Sequence, residues 1–176
     1  MSRTREIVTK AVVGKGKKTF TTTKTVTPKE IPNTILGCWV INHTYNGKRV
    51  DNTVIIDGSY DINIWYSTGN DTQTEVIKDT NTYKEEVISP KVNENIDNEE
   101  VIIRSLKQPT CTRCDIVNGI IEYTIEKELG IEIVGDVKVK ISYDEEEEPW
   151  QTIEENKEKI INNEIDRQVD ENYLKD

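Results

Sequence analysis

Residues 60–67, Tyr-Asp-Ile-Asn-Ile-Trp-Tyr-Ser, alternate apolar and polar side chains and hold three of the chain's few aromatics. A period of two predicts a β-strand, because successive strand side chains point to opposite faces. Ile62, Ile64 and Tyr66 share one face, and Asp61, Asn63 and Trp65 share the other. The first face is core. The second places a Trp beside Asp and Asn, so it either packs under another layer or meets a partner. The rest of the chain has to supply strands for this one.

At 176 residues the chain is long enough for one domain with a core, plus a small appendage. Only 34% of residues are hydrophobic, with one Phe and one Met, so the core is expected to be thin and made mostly of Ile and Val. Those β-branched residues favour sheet. Residues 7–13 and 19–27 read as a hairpin about the turn signal Gly14-Lys15-Gly16. Residues 35–45 read as a long strand closed by Asn46-Gly47, a strong hairpin cue. A return strand over 49–56 would end at Asp57-Gly58, before the central strand. Gly69-Asn70-Asp71 closes the central strand, and residues 72–88, poor in hydrophobics, read as an edge or surface strand. Residues 90–100 read as a loop. Further strands are expected over 101–106, 114–117, 120–127 and 131–143, with turns at Asn118-Gly119 and Val134-Gly135-Asp136. The pattern predicts an all-β chain, an antiparallel β-sandwich or barrel-like domain over residues 1–143.

Residues 144–176 are different. Asp144, Glu145, Glu146, Glu147 and Glu148 precede Pro149, and Ile161, Ile165, Val169 and Tyr173 then recur every four residues. That spacing predicts an acidic C-terminal helix or tail. Its apolar stripe is too narrow to fold alone and needs the β-domain or another copy to cover it. Charge is also divided. Residues 1–49 hold ten Lys or Arg against Glu6 and Glu30, a balance of +8, and residues 144–176 balance at −9. Opposite ends permit association between copies, although a solvated face at each end is an equally good reading. The basic residues around Gly14 and Gly16 lack stacking aromatics, which argues against nucleic acid. No apolar run reaches membrane-spanning length, and no signal-peptide core follows Met1, so a cytosolic protein without membrane insertion is expected.

Chemistry-bearing motifs are sparse. Cys111 and Cys114 have Cys-x-x-Cys spacing, and Cys38 with His43 would complete a Cys3His zinc set. Cys38 and His43 are five apart, however, and an unbulged strand would point them to opposite faces. No metal or cofactor is assigned, and reduced thiols are expected in a cytosol. His43 is the only histidine, and neither a nucleophile elbow nor a Walker A sequence occurs, so no enzyme is expected. Trp39, Trp65 and Tyr66 lining a carbohydrate- or peptidoglycan-binding face is the alternative to their burial in a core.

Four stretches resemble the outer spore coat protein E (CotE) family of endospore-forming bacteria. They are residues 5–17, residues 35–43 (Ile-Leu-Gly-Cys-Trp-Val-Ile-Asn-His), residues 60–67 and Gln108-Pro109-Thr110-Cys111. An acidic tail after the last strand fits as well; Cys38 and Cys114 depart from the pattern. The resemblance implies a non-enzymatic morphogenetic scaffold, made in the mother-cell cytoplasm during sporulation and assembled into the spore coat at the forespore surface. It implies a homo-oligomer that is held by the basal layer and recruits outer coat proteins. The candidate binding residues are Tyr60, Asp61, Ile62, Asn63, Ile64, Trp65 and Tyr66 on the central strand. Trp150, Ile161, Ile165 and Val169 join them from the C-terminal segment.

Overall fold

A computed structural model describes residues 3–92, 96–143 and 149–153. Residues 6–141 form one compact unit, and residues 3–5, 142–143 and 149–153 belong to a second. The acidic run 144–148 and the helical stripe expected at Ile161, Ile165, Val169 and Tyr173 lie outside the described residues.

The described chain is all-β, built from six long strands: β1 (Arg3–Val26), β2 (Pro32–Val50), β3 (Thr53–Thr68), β4 (Gln73–Ile88), β5 (Asp97–Val117) and β6 (Ile120–Tyr143). They make two three-stranded sheets, in the orders β1-β6-β5 and β2-β3-β4. The sequence suggests many short strands, and this is corrected. β1 runs unbroken through Gly14-Lys15-Gly16, β2 through Asn46-Gly47, β3 through Asp57-Gly58 and β6 through Val134-Gly135-Asp136. The residues read as turns at these four places are strand interior.

Close approach explains two of these glycines. A methyl on Gly47 would overlap the Ile103 side chain of β5, and one on Gly58 would overlap the ring of Tyr83, its cross-strand partner on β4. Glycine inside a strand marks such a crossing as readily as a bend. The chain reverses elsewhere: at Asp51-Asn52 between β2 and β3, at Gly69-Asn70-Asp71, and at Asn118-Gly119. Asp51, Gly69, Asn70, Asp71, Asn118 and Gly119 all take positive φ, which Gly, Asn and Asp tolerate best. The last two turns are those the sequence indicated.

The two inner faces make the core. β3 contributes Val54, Ile56, Tyr60, Ile62, Ile64 and Tyr66, and β6 contributes Ile121, Tyr123, Ile125, Leu129, Ile131 and Ile133, all buried. Both sets follow strict alternation on the central strand of a sheet. Each fully buried Ile, Leu or Val stabilises by about 1.5–3 kcal/mol, so these two strands carry most of the apolar driving force. The core is thin and dominated by Ile and Val, as composition requires. Residues 73–88 form an edge strand, as their low hydrophobic content indicates.

Candidate functional site

The central strand divides its candidate residues between two environments. Tyr60, Ile62, Ile64 and Tyr66 are buried between the sheets. Asp61, Asn63 and Trp65 lie on the outer face of sheet β2-β3-β4, where Trp65 is 38% exposed and Trp39 of β2 is 52% exposed. The two indoles meet edge to face, with ring centroids 6.5 Å apart and planes at 81°. Trp39 folds back over Gly37, whose missing side chain leaves room for the ring. Ile41, 47% exposed, continues this apolar face along β2. Asp61 anchors its polar margin, accepting hydrogen bonds from Asn42 Nδ2 at 2.8 Å and Thr80 Oγ1 at 2.7 Å. Those two donors hold its carboxyl below the usual carboxylate range. Trp150 is 98% exposed, and Ile161, Ile165 and Val169 lie outside the described residues.

Sequence reasoning missed a polar layer in the interior. Lys127 sits on the inward face of β6 between Ile125 and Leu129 and is only 3% exposed. Its ammonium donates to Glu85 Oε1 at 3.0 Å and lies 4.0 Å from the centroid of the Tyr83 ring. The ring occupies the space that Gly58 leaves open. Tyr83 also shares a 2.7 Å hydrogen bond with His43 Nε2, while His43 Nδ1 is 3.2 Å from Gln108 Oε1. A neutral imidazole protonated on Nδ1 satisfies both contacts, donating to Gln108 and accepting from Tyr83. Burial keeps His43 below its ordinary pKa, with Lys127 adding to the effect and Gln108 opposing it. Burial also pushes the Tyr60 hydroxyl up to about 12. The readable signal was a lone Lys in an otherwise apolar odd-numbered series, Ile121 to Ile133.

β2 and β5 belong to different sheets but run alongside each other. Arg49 donates to Glu99 at 2.6 Å, Gly47 faces Ile103, and His43 meets Gln108. Farther along, Cys38 of β2 meets Cys111 and Cys114 of β5, all three sulphur atoms lying within 4.8 Å of one another. Two bulges make this possible. A register shift between Cys111 and Arg113 lets residues three apart share the inward face, and another between Ile41 and Thr44 brings His43 to the side of β2 that Cys38 occupies. The unbulged strand assumed from sequence is therefore corrected. His43 nonetheless contacts Tyr83 and Gln108, leaving the thiols as a group of three. A hydrogen bond to Cys114, followed by burial, raises the Cys38 thiol, while the same contact lowers Cys114; burial raises Cys111.

Comparison with curated proteins and with solved structures gives no match. Comparison with protein families does: the model of outer spore coat protein E (CotE) matches residues 3–176, nearly the whole chain. The chain therefore belongs to the outer spore coat protein E family.

Proposed function

We propose that this chain is a non-enzymatic scaffold of the spore coat, made in the mother-cell cytoplasm, that self-associates at the forespore surface and recruits outer coat proteins. Family membership supports the coat setting. The observation that carries the scaffold reading is the outer face of sheet β2-β3-β4, where Trp39, Ile41 and Trp65 stand exposed beside a 16-residue edge strand, β4. An apolar face rimmed by polar groups is a protein contact surface, and an edge strand offers backbone groups for pairing. We assign the first contact to a second copy of this chain. The 144–176 segment is assigned to basal-layer and outer coat partners, as a part separate from the 1–143 domain.

The exposed indoles also favour a second reading, a carbohydrate- or peptidoglycan-binding module. The geometry supports it less well. Tyr66, the third aromatic that reading requires, points the opposite way from the two indoles and is 1% exposed in the core, and an edge-to-face pair presents no common plane for a sugar ring to stack on. Light scattering and electron microscopy of the full chain test the choice. The scaffold reading expects particles larger than one chain, rising with concentration. A strict monomer at every concentration that is retained on peptidoglycan overturns it in favour of the second reading.

A further inference from the structure

We propose that Cys38, Cys111 and Cys114 form a three-thiolate binding site for a thiophilic d10 cation, Zn2+ or Cu(I). Their sulphur atoms lie within 4.8 Å of one another. Metal–sulphur bonds of about 2.3 Å require sulphur atoms about 3.8 Å apart, so a shift of about 1 Å or less closes the set. Thiolate ligands select soft cations such as Cu(I) and Zn2+ over hard ones such as Mg2+ and Ca2+.

The strands hold the three positions in place. Cys38 pairs with Ile64 on β3, and Cys111 and Cys114 pair with Ile125 and Tyr123 on β6. All three of those partner positions are on the two central strands, and Ile64, Tyr123 and Ile125 are at most 2% exposed. The bulge at Cys111/Arg113 is what turns a Cys-x-x-Cys pair toward one point, and Cys38 arrives there from the other sheet. The cysteines are partly buried, so an ion has a path in from solvent and an apolar wall behind it. Among the described residues, no His, Asp or Glu joins the group. Three thiolates complete a trigonal Cu(I) site; Zn2+ would take water or an exogenous thiol as its fourth ligand. On binding, each ligating thiol gives its proton to solvent and its sulphur lone pair to the ion. The bound ion ties β2 to β5 and so stabilises the association of the two sheets.

The test uses the full chain, reduced with a phosphine and stripped with a chelator, titrated separately with Zn2+ and Cu(I) against chromophoric competitors. One ion per chain, a raised melting temperature and an X-ray absorption spectrum showing three sulphur ligands are expected. Cys38→Ser, checked for native circular dichroism, should lose affinity by more than the about 10- to 100-fold that an outer-shell change costs. His43→Gln should leave affinity unchanged. The zinc and copper arms identify the ion. No uptake of either ion by fully reduced thiols overturns the proposal. So does an absorption spectrum of the unaltered chain with only nitrogen and oxygen ligands, which is decisive even if every cysteine variant misfolds.

Discussion

The outer faces of the two sheets are built on different principles. On sheet β1-β6-β5, a row of carboxylates on β6 is flanked by cations from both neighbours. Glu132 accepts from Arg104 Nε at 2.9 Å with Lys15 Nζ at 4.0 Å, Glu128 has Lys17 at 4.0 Å, and Glu126 accepts from Lys107. On sheet β2-β3-β4 the corresponding surface is Trp39, Ile41 and Trp65. The first face satisfies its charges within one chain, with Leu106 as an exposed apolar residue over Gly130 among them. The second leaves apolar area exposed among the described residues, the kind of surface that marks a contact. Two sheets with one shared core thus expose one face suited to solubility and one suited to contact.

Replacing both Trp39 and Trp65 by Ser gives the largest expected effect. Buried aromatic anchors at an interface are commonly worth about 2 kcal/mol or more, so self-association should weaken by about 30-fold or more. The melting temperature of the single chain should fall as well, because each ring is partly covered within the sheet and the two rings pack on each other, but the core beneath them is untouched and the chain should stay folded. Sedimentation at several concentrations reads the first effect and circular dichroism the second. Unchanged association would remove the contact role from this face.

The alternation of residues 60–67 was enough to place β3 at the centre of a sheet and to sort its side chains between core and surface. The same rule, applied along β6, recovers Ile121 through Ile133. Strand lengths were not legible, because glycine has two uses in a sheet. Gly69 and Gly119 take positive φ and turn the chain, whereas Gly47 and Gly58 stay extended and admit Ile103 and Tyr83. Telling them apart needs the identity of the crossing segment, which lies tens of residues away. The thiol group was hidden for a related reason. A bulge changes the face of every later residue by one step, and neither Cys111-Thr112-Arg113-Cys114 nor the segment from Cys38 to His43 advertises its bulge. The Trp39–Trp65 pair was half visible: each ring was noted, but their meeting depends on the β2–β3 register that sets Gly37 against Trp65.

Charge reversal on the solvated face gives an intermediate effect of a different kind. The Glu132 side chain is 12% exposed, and Glu132→Lys would set a third cation beside Arg104 and Lys15. Losing a nearly buried carboxylate and adding a like charge should cost about 2 kcal/mol. For a chain of this size that lowers the melting temperature by roughly 4–8 °C. Particle size at a temperature where the variant is folded should stay as in the unaltered chain. If the variant instead dissociates while folded, the charged face is an interface as well, and the contrast between the two faces fails.

The smallest effect is expected from salt and from the exposed members of the ladder. Lys107 and Glu126 are 49% and 31% exposed, and a pair so accessible is worth about 0–1 kcal/mol, so Lys107→Ala should move the melting temperature by only a few degrees at most. Raising ionic strength from 0.1 to 1 M shortens the screening length from about 10 to about 3 Å and should weaken the ladder by a similar amount. Association through Trp39 and Trp65 has no reason to weaken under the same change, since burial of apolar surface does not depend on charge attraction. The basic N-terminal segment sharpens the test. Although residues 1–49 balance at +8, Lys10, Lys15 and Lys17 already face Glu100, Glu132 and Glu128 of their own chain. Less of that charge is therefore free to meet the −9 of residues 144–176 in another copy. Light scattering across a salt series separates the contributions: particles that persist at 1 M salt place the contact on the apolar face, and particles that fall to single chains place it between the charged ends.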